Sequence, residues 1–536
     1  MDQRQSLLFR LPRELRDEIY GYYLREQNGY IFSLSAQKLR QSNGLPIELA
    51  LGYTCKRVAA EIHGYAFREN TLRFHILPQT QDTFRKCSTA DVFESLLEWR
   101  ARCCRCMLAH AYWLVTVEAM REVRNRHPGN IAVAQLEQAI IEHGNWKLCR
   151  GFIDRMWMLD YYIEEVIIHD LIQTIAKHPD FERLTSKEYD PDMNPGPSYI
   201  HAYTDSEYSS SSSDLSDDDY DDDYVDDDSS SEIKTSPPKY TKETQFRIIE
   251  WKPACWWIPE QQDIDVVAEF LPTDRGYTLH DAAGNEVNER FSFSAAAATI
   301  RFLECLAPDN RMHLRKIIIQ EDDRSVGLPH THARGLVPFC IENPDLRIER
   351  RVDIWRTDFI PESEAFYSIQ RVTAVALWIC ETKYLAIMDV PPASFSLVLH
   401  GPSEAASQQL CDAMIKTAIW HEGVKELVRR KVQELEDFYP LPEDFVDLIK
   451  AMVRGDIPAK FEADMGELWD IEEILRNHEG EWPKNASQFF ALRHFEEPDG
   501  GWEAARAGHF EEVGWVDRMD GWDLLVAENQ LEENAS

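Results

Sequence analysis

NTLRFHIL (residues 70–77) and LRKIIIQE (residues 314–321) are the two stretches that decide the fold of this 536-residue chain. After Asn70, polar and apolar residues alternate in the first stretch, which is typical of a β-strand with one buried face. In the second, consecutive isoleucines lie between charged residues, which indicates a buried strand. Each stretch is therefore predicted to be a strand.

Strand and helix patterns alternate from residue 288 to about residue 432. The predicted strands are NERFSFS (288–294), LRKIIIQE, LRIERRVDIW (346–355) and SFSLVLHG (394–401). The predicted helices are 295–307, 330–343, 364–387 and 403–432. Strands separated by helices favour right-handed βαβ crossovers and a largely parallel sheet. The predicted fold class is α+β, with an α/β domain of largely parallel strands.

A solenoid is the alternative architecture. Phe291, Lys316 and Leu346, near the starts of three predicted strands, are 25 and 30 residues apart (316 − 291 and 346 − 316). This spacing is close to that of leucine-rich repeats, but their LxxLxLxxN pattern is absent. An open sheet is therefore favoured.

Residues 91–178 are predicted to form a helical hairpin. The first helix covers 91–123 and is followed by the turn signal HPGN (127–130). The second helix carries an apolar stripe formed by Met156, Leu159, Ile163, Ile167, Leu171 and Ile175. A short turn between two long helices favours antiparallel packing.

An acidic, serine-rich segment follows the hairpin. Residues 204–232 contain ten serines, thirteen acidic residues and no basic residue, so 190–242 is predicted to be a disordered linker. Ser213 and Ser216 precede acidic residues and are candidate sites for an acidophilic kinase, whose phosphates would add further negative charge. The alternative is a passive solvated linker.

The net charge limits the classes of partner. With 57 basic and 94 acidic residues, the net charge of -37 disfavours binding to nucleic acid or to anionic membranes. The chain shows no signal-peptide pattern and no apolar run of transmembrane length. Eleven cysteines, an odd number, indicate reduced thiols and a cytoplasmic or nuclear location.

The N-terminus contains two amphipathic patterns. Leu11, Leu15 and Ile19 recur every fourth residue around Pro12, which suits a first helical turn. A second, longer helix is predicted to start at Pro46, and its apolar face would be formed by Ile47, Leu51, Cys55, Val58, Ile62 and Tyr65.

These residues resemble an F-box. Leu11-Pro12-x-Glu14-Leu15-x-x-x-Ile19 is similar to the opening of that motif, and TCKRVAAEIHGYAF (54–67) is similar to its later helix. More closely, residues 7–77 and 291–320 resemble a group of uncharacterised fungal proteins with an F-box-like N-terminus. A second leucine, common in F-boxes, is replaced here by Arg16.

The resemblance implies docking on the Skp-type adaptor of a cullin ubiquitin ligase. Leu11, Pro12, Leu15 and Ile19 would be the contact residues. The chain would then be a substrate-recognition subunit for a protein whose identity the sequence does not indicate, with residues 243–430 as the recognition surface. In the alternative hypothesis the same stripe packs inward against Ile47, Leu51 and Val58, and the protein is structural or a scaffold.

The resemblance also predicts an interrupted module. In the similar proteins the strand NTFRF runs almost directly into the helix that corresponds to residues 295–307. Here more than 200 residues intervene (295 − 77 = 218), so roughly residues 80–285 are interpreted as an insertion. The strand 71–77 should then lie close to residues 314–320.

Five segments are predicted on this basis. They are F-box-like helices plus a strand (1–79), the helical hairpin (80–189), the acidic linker (190–242), the α/β domain (243–432) and an acidic, tryptophan-rich C-terminal region (433–536).

Other constellations are weaker. Cys103, Cys106 and His110 share one predicted helix face, where they could ligate zinc with a fourth residue, but core packing is favoured over a metal. His330 and His332 could face Asp322 or Asp323. No nucleophile elbow, Walker loop or zincin motif is found, so neither an enzymatic activity nor a cofactor is predicted. Gly-Trp pairs at 501–502, 514–515 and 521–522 resemble Trp hooks that bind Argonaute-type proteins, or they cover the α/β surface.

Overall fold

The computed structural model describes most of the chain up to residue 477. The described residues are 6–33, 36–76, 89–126, 133, 137–138, 140–141, 161–185, 242–271, 279–280, 286–287, 291–357, 368–430, 441 and 444–477.

A seven-stranded sheet organises the fold. Its strands are β1 (Tyr30–Ser33), β2 (Lys38–Gln41), β3 (Thr71–His75), β6 (Lys316–Glu321), β7 (Arg347–Asp353), β8 (Phe395–His400) and β9 (Ala459–Phe461), while β4 (Leu279–His280) and β5 (Glu286–Val287) form a separate antiparallel pair. The order across the large sheet is β2-β1-β3-β6-β7-β8-β9. Only β1 and β2 are antiparallel; every other neighbouring pair in this sheet is parallel. The α+β class with a largely parallel sheet is confirmed.

Strand β3 pairs directly with β6. The register runs from Thr71 opposite Lys316 to His75 opposite Gln320. The prediction that 71–77 lies beside 314–320 is therefore confirmed, and the N-terminal segment belongs to the same sheet as the later strands.

The described ranges contain eighteen α-helices. They are α1 (Leu7–Arg10), α2 (Arg13–Leu24), α3 (Lys56–Glu61), α4 (Tyr65–Glu69), α5 (Thr89–Ala111), α6 (Val117–Arg126), α7 (Tyr161–Ile175), α8 (Phe181–Thr185), α9 (Lys242–Glu250), α10 (Gln261–Ala268), α11 (Ala295–Cys305), α12 (Pro308–Arg311), α13 (Val337–Glu342), α14 (Ile354–Thr357), α15 (Ser368–Ile387), α16 (Glu404–Arg429), α17 (Phe445–Arg454) and α18 (Ile471–Asn477). Short 3₁₀ turns occupy Ala50–Tyr53, Tyr112–Leu114 and Pro329–Leu336.

The main core lies between one face of the sheet and the helices α11, α13, α15, α16 and α17. Helix α11 begins after Ser294, whose hydroxyl accepts a hydrogen bond from the Ala297 amide at 2.9 Å. A buried ion pair also lies on this side of the sheet, because Arg350 Nη2 donates to Glu321 Oε1 at 2.6 Å. The Arg350 guanidinium stacks 4.6 Å from the ring centre of Trp378.

A second core is built mainly by residues that come between β3 and β6 in the chain, together with Val326 after β6. Buried residues of α5, α6, α7, α9 and α10 form it, and Phe291 and Phe293 pack against it. The two cores meet where Glu94 accepts a hydrogen bond from the Gly327 amide at 2.8 Å and Asp91 accepts one from the Phe291 amide at 2.7 Å.

Several predicted elements differ from the observed ones. The helix predicted from Pro46 is divided into a 3₁₀ turn, α3 and α4, because Cys55 is extended and Gly64 has a φ of 76°. The helix predicted over 91–123 is interrupted between α5 and α6 by the 3₁₀ turn at Tyr112–Leu114.

Other differences concern strands. Strands β1 and β2 lie in a segment for which no strand was predicted. Within the described part of NERFSFS, residues 291–294, the only strand pairing is an isolated bridge at Ser292, because Phe291 and Phe293 pack against the second core. Strand β9 extends the sheet beyond residue 432, the predicted end of the α/β domain.

Candidate functional site

Helix α2 exposes a stripe of apolar side chains. Leu15 and Ile19 are 45% and 43% exposed, and Tyr22 is 87% exposed. Residues three and four apart lie on one side of a helix, so these three side chains form one stripe, here called the outer face of α2. A helix of a globular protein ordinarily buries its apolar stripe. The outer face of α2 is instead exposed, while Tyr20 and Leu24 on the opposite side of the helix are buried.

The inward side of α2 is fixed by a polar network centred on Glu61. The buried Arg16 donates from both Nε and Nη2 to the Glu61 carboxylate, each at 2.8 Å. The Tyr20 hydroxyl donates to the same carboxylate at 2.9 Å, and Arg57 Nε at 3.0 Å. A two-pronged guanidinium contact sets the direction of both partners, so the rotation of α2 about its axis is defined by this network.

The network also changes the acidity of its central carboxyl group. Hydrogen bonds from Arg16, followed by those from Arg57 and Tyr20, lower the pKa of Glu61 to about 2 against the cost of burial. Glu61 is therefore ionised at neutral pH, as a carboxylate that accepts from two guanidinium groups must be.

Asn70 joins the end of α2 to the start of β3. Its side-chain amide donates to the carbonyl oxygens of Leu24 and Ala66 at 2.8 and 2.9 Å, and its side-chain oxygen accepts from the Glu26 amide at 2.7 Å. The outer face of α2 is thus held in a fixed position relative to the sheet.

The predicted contact residues lie along the same side of the N-terminal segment. Leu15 and Ile19 belong to the outer face of α2, Leu11 is half-buried just before it, and Pro12 is exposed at the residue that precedes the helix. Pro12 was predicted to be the first residue inside the helix. In the structure the helix begins one residue later, at Arg13. The inward network was missed, because Glu61 is separated from Arg16 by 45 residues and neither residue is part of an apolar stripe.

The residues proposed as zinc ligands lie on α5, which contributes to the second core. Cys103 and Cys104 are buried in it, while Cys106 and His110 are only partly buried. Within the described ranges, no three histidine, cysteine or carboxylate side chains are grouped as a metal site would require. The fourth ligand was expected from His143 or Cys149 on the facing helix; both residues, like Cys87 upstream, lie outside those ranges.

Of the two histidines considered for catalysis, His330 packs edge-to-face against Trp378 with 6.2 Å between ring centres, and His332 contacts groups other than the aspartates. His332 Nε2 donates to the Gly327 carbonyl at 2.8 Å, and its Nδ1 lies 2.6 Å from Ser294 Oγ. Burial lowers the pKa of His332 to about 3. Asp322 lies beside His75 instead, with 4.0 Å between Oδ2 and Nδ1.

Some candidate residues lie outside the described part of the chain. They are Ser213 and Ser216, the acidic run around them, and the three Gly-Trp pairs near the C-terminus.

Comparisons with known proteins gave no match. No protein-family model, curated protein or solved structure matches the chain. The fold and the outer face of α2 define an α+β protein with an exposed apolar helix stripe. The described helices include none with the length and apolar character needed to span a membrane.

Proposed function

We propose that the outer face of α2 binds a partner protein, and that this partner is a Skp-type adaptor of a cullin ubiquitin ligase. The observation that carries the proposal is the exposure of Leu15 and Ile19 on a helix whose charged Arg16 is buried. An apolar stripe on the surface is stabilised when a partner groove covers it.

The resemblance to the F-box supports the choice of adaptor. Leu11, Pro12, Leu15 and Ile19 match its opening. Arg16 replaces a leucine of that motif, but its side chain points inward to Glu61 and leaves the outer face of α2 unchanged. The replacement of the motif's leucine by Arg16 therefore affects the internal packing of α2 and not its exposed side chains.

The exposure also weighs against the alternative role of the stripe. If it only packed internally against Ile47, Leu51 and Val58, Leu15 and Ile19 would be buried. A structural or scaffolding protein whose α2 binds something other than the adaptor remains the competing function.

The proposed role is recognition of a protein substrate for ubiquitination. The N-terminal helices would hold the adaptor, and the sheet, to which Asn70 and β3 connect them, would present the recognition surface. A rigid connection between the two surfaces suits a ligase, because the bound substrate must be held at a defined distance from the ubiquitin-transferring end.

Binding of the purified full-length protein to a purified Skp-type adaptor tests the proposal. Leu15→Asp/Ile19→Asp should weaken binding at least about tenfold, since two apolar anchors become charged. Ile341→Asp is the control, because Ile341 is similarly exposed, at 51%, but belongs to α13 and not to α2. Circular dichroism should be the same for all variants.

Two results would contradict the proposal. One is a folded wild-type protein that does not retain the adaptor at micromolar concentration. The other is equal binding by the wild type and Leu15→Asp/Ile19→Asp. Either result would leave the scaffolding function as the better account.

A further inference from the structure

Polar side chains meet where three neighbouring parallel strands end. Gln320 is the last residue but one of β6, Asp353 is the last of β7 and His400 is the last of β8. Asp353 and His400 are register partners, and 3.1 Å separates Gln320 Nε2 from His400 Nε2. The three side chains therefore belong to one cluster at the carboxyl end of the sheet.

A second aspartate belongs to the same cluster. Asp322 directly follows β6, and Asp353 follows Val352 in β7. Because Glu321 and Val352 are register partners, the two aspartates lie at the same level of neighbouring strands, which are about 4.8 Å apart. The carboxyl-edge site is the name used here for Gln320, Asp322, Asp353 and His400.

The carboxyl-edge site is buried on its inner side and accessible on its outer side. Asp353 and His400 are 4% and 8% exposed. The side chains of Asp322 and of the neighbouring His75 are 28% and 35% exposed. A ligand would therefore approach from the carboxyl end of the sheet, past Asp322 and His75, and only a narrow group could reach Asp353.

Two carboxylate oxygens of this site have no hydrogen-bond donor. Oδ1 of Asp322 and Oδ1 of Asp353 are both shielded from solvent, and neither has a partner among the residues that the structure describes. The other oxygen of Asp353, Oδ2, lies 3.5 Å from Arg356 Nε. Burial raises the pKa of Asp353, against the effects of His400 and Arg356. Buried polar atoms are nearly always paired, so two neighbouring unpaired acceptors indicate that a donor binds between them.

Gln320 supplies a third acceptor. His400 Nδ1 lies 3.0 Å from the Gly401 carbonyl oxygen, so this nitrogen carries the proton and donates it. His400 Nε2 is then an acceptor, and the group that faces it must be the amide nitrogen of Gln320. This arrangement leaves the Oε1 atom of Gln320 as an acceptor. The carboxyl-edge site thus offers three acceptor oxygens from three different side chains.

The charge of the site favours a ligand with one positive charge. Asp322 and Asp353 are two carboxylates, and Arg356 is the one guanidinium within salt-bridge distance of them in the described ranges. His75 Nδ1 is 4.0 Å from Asp322 Oδ2, which is too far for a hydrogen bond. When both aspartates are ionised, one negative charge is left without a cation.

Arg351, on the neighbouring part of β7, does not balance this charge. Its guanidinium lies 3.3 Å from the Glu349 carboxylate and 2.5 Å from the Glu462 carboxylate. These two contacts already provide Arg351 with acidic partners. The excess negative charge therefore lies on the two aspartates.

We propose that the carboxyl-edge site binds a primary ammonium group, carried either by a small free amine or by a lysine side chain of a partner protein. An ammonium group has three N–H donors on one nitrogen, which matches three acceptors on three side chains. A guanidinium fits less well, because its planar fork is matched by the two oxygens of a single carboxylate. The inference goes beyond the proposed function and does not depend on adaptor binding.

A metal ion is a weaker candidate for the same site. Among the described residues, no three histidine, cysteine or carboxylate side chains are grouped as a metal site would require. His400 also uses both ring nitrogens in hydrogen bonds within the protein, so neither is available as a ligand. An ammonium group needs acceptors only, which the site provides.

Isothermal titration calorimetry with the full-length protein tests the inference. The two ammonium probes are butylammonium chloride, for a free amine, and a Gly-Lys-Gly peptide blocked at both ends, for a lysine side chain. Tetramethylammonium carries the charge without any N–H, butanol carries the stem without the charge, and butylguanidinium carries the planar fork. Because these probes are compared on the wild type, the class of ligand is decided even if a variant does not fold.

Variants then locate the binding. Asp322→Asn should weaken ammonium binding about tenfold or more, because a hydrogen bond to a charged partner is lost. Gln320→Met, which removes the amide acceptor, should weaken it by a smaller factor. Asp444→Asn is the control with the same change in net charge, since the Asp444 side chain is 26% exposed, like that of Asp322, but lies at the start of α17. It should bind as the wild type does.

The expected result is that butylammonium binds and that tetramethylammonium and butanol do not. Binding of the lysine peptide as well would identify a partner's side chain as a ligand, whereas binding of butylammonium alone would identify a free amine. The inference is overturned if neither amine binds at millimolar concentration, if tetramethylammonium or butylguanidinium binds as tightly, or if folded Asp322→Asn binds as the wild type does. Adaptor binding is measured separately, so failure here is distinguishable from failure of the proposed function.

Discussion

Leu72 and Ile317 are register partners in adjacent parallel strands, and both side chains are fully buried in the main core. Their pairing joins the N-terminal strands β2, β1 and β3 to the later strands of the sheet. The side chains of residues directly opposite each other on one face of a sheet are close enough to stabilise one another.

Truncation of either residue should therefore destabilise the whole sheet. Leu72→Ala and Ile317→Ala should each lower the free energy of unfolding by about 2–5 kcal/mol, the usual cost of a cavity at a buried aliphatic residue. In urea unfolding, the double variant should lose less than the sum of the two single losses, because the two side chains share one environment. Strict additivity would indicate that they do not pack together.

The Arg16–Glu61 pair should be costly to break on one side only. Glu61→Leu leaves the buried Arg16 guanidinium without its carboxylate and should destabilise the protein by about 3–5 kcal/mol. Arg16→Leu/Glu61→Leu removes both charges and should be closer to the wild type in thermal or urea unfolding. A double variant as unstable as Glu61→Leu would contradict this account.

The same pair predicts a loss of stability in acid. The pKa of Glu61 is lowered from 4.5 to about 2, so the folded protein releases this proton more readily than the unfolded chain does. The stabilisation is complete above about pH 4.5 and is lost as the pH falls towards 2. Glu61→Gln should show a smaller decrease in the free energy of unfolding over this interval, measured by urea titration at several pH values.

Glu94 predicts the opposite dependence. Burial, together with the nearby Glu98, raises the pKa of Glu94 from 4.5 to about 7 against the favourable effects of the Gly327 amide and Arg324. The folded protein therefore holds this proton more tightly than the unfolded chain, and stability falls as the pH rises from about 4.5 to about 7.

Glu94→Gln isolates this effect. Glutamine keeps an acceptor for the Gly327 amide but does not titrate, so the decrease in stability between about pH 5 and about pH 8 should become smaller. Hydrogen exchange of α5 should follow the same trend. An unchanged pH profile in Glu94→Gln would show that other groups cause it.

Two glycines provide a matched comparison of backbone strain and close approach. Gly29 and Gly44 have φ angles of 70° and 82°, but a Cβ at Gly29 would lie 2.1 Å from the Thr71 carbonyl oxygen, whereas one at Gly44 would meet nothing within 4 Å. Gly44→Ala should cost about 1–2 kcal/mol from strain alone. Gly29→Ala should cost clearly more, because β1 must move away from β3. Equal losses in urea unfolding would rule out the close approach as the cause.

Sequence patterns predicted the central strands because burial imposes a regular pattern on them. LRKIIIQE, LRIERRVDIW and SFSLVLHG all form strands, and NTLRFHIL joins them as expected. The four-residue strands β1 and β2 were not predicted, because β1 is stabilised by its pairing with β3 rather than by its own sequence.

The orientation of α2 could not be predicted from its own residues. Amphipathicity identifies an apolar stripe, but it does not say which side of the helix is buried. Here the buried side of α2 is set by Glu61 on α3, whose carboxylate accepts hydrogen bonds from Arg16 and Tyr20 of α2. The predicted contact residues were thus identified from the motif, and their exposure became evident only in the folded chain.

The β3–β6 pairing also has a consequence for synthesis. Lys316 follows Thr71 by 245 residues (316 − 71), and a ribosome that adds about 5–20 residues per second needs about 12–49 seconds to bridge that interval. Throughout it, β3 has already emerged with an unpaired edge that offers backbone hydrogen bonds to other chains. The nascent N-terminal segment is therefore prone to aggregation until β6 has been synthesised. A chaperone that covers the edge of β3 during this interval would prevent it.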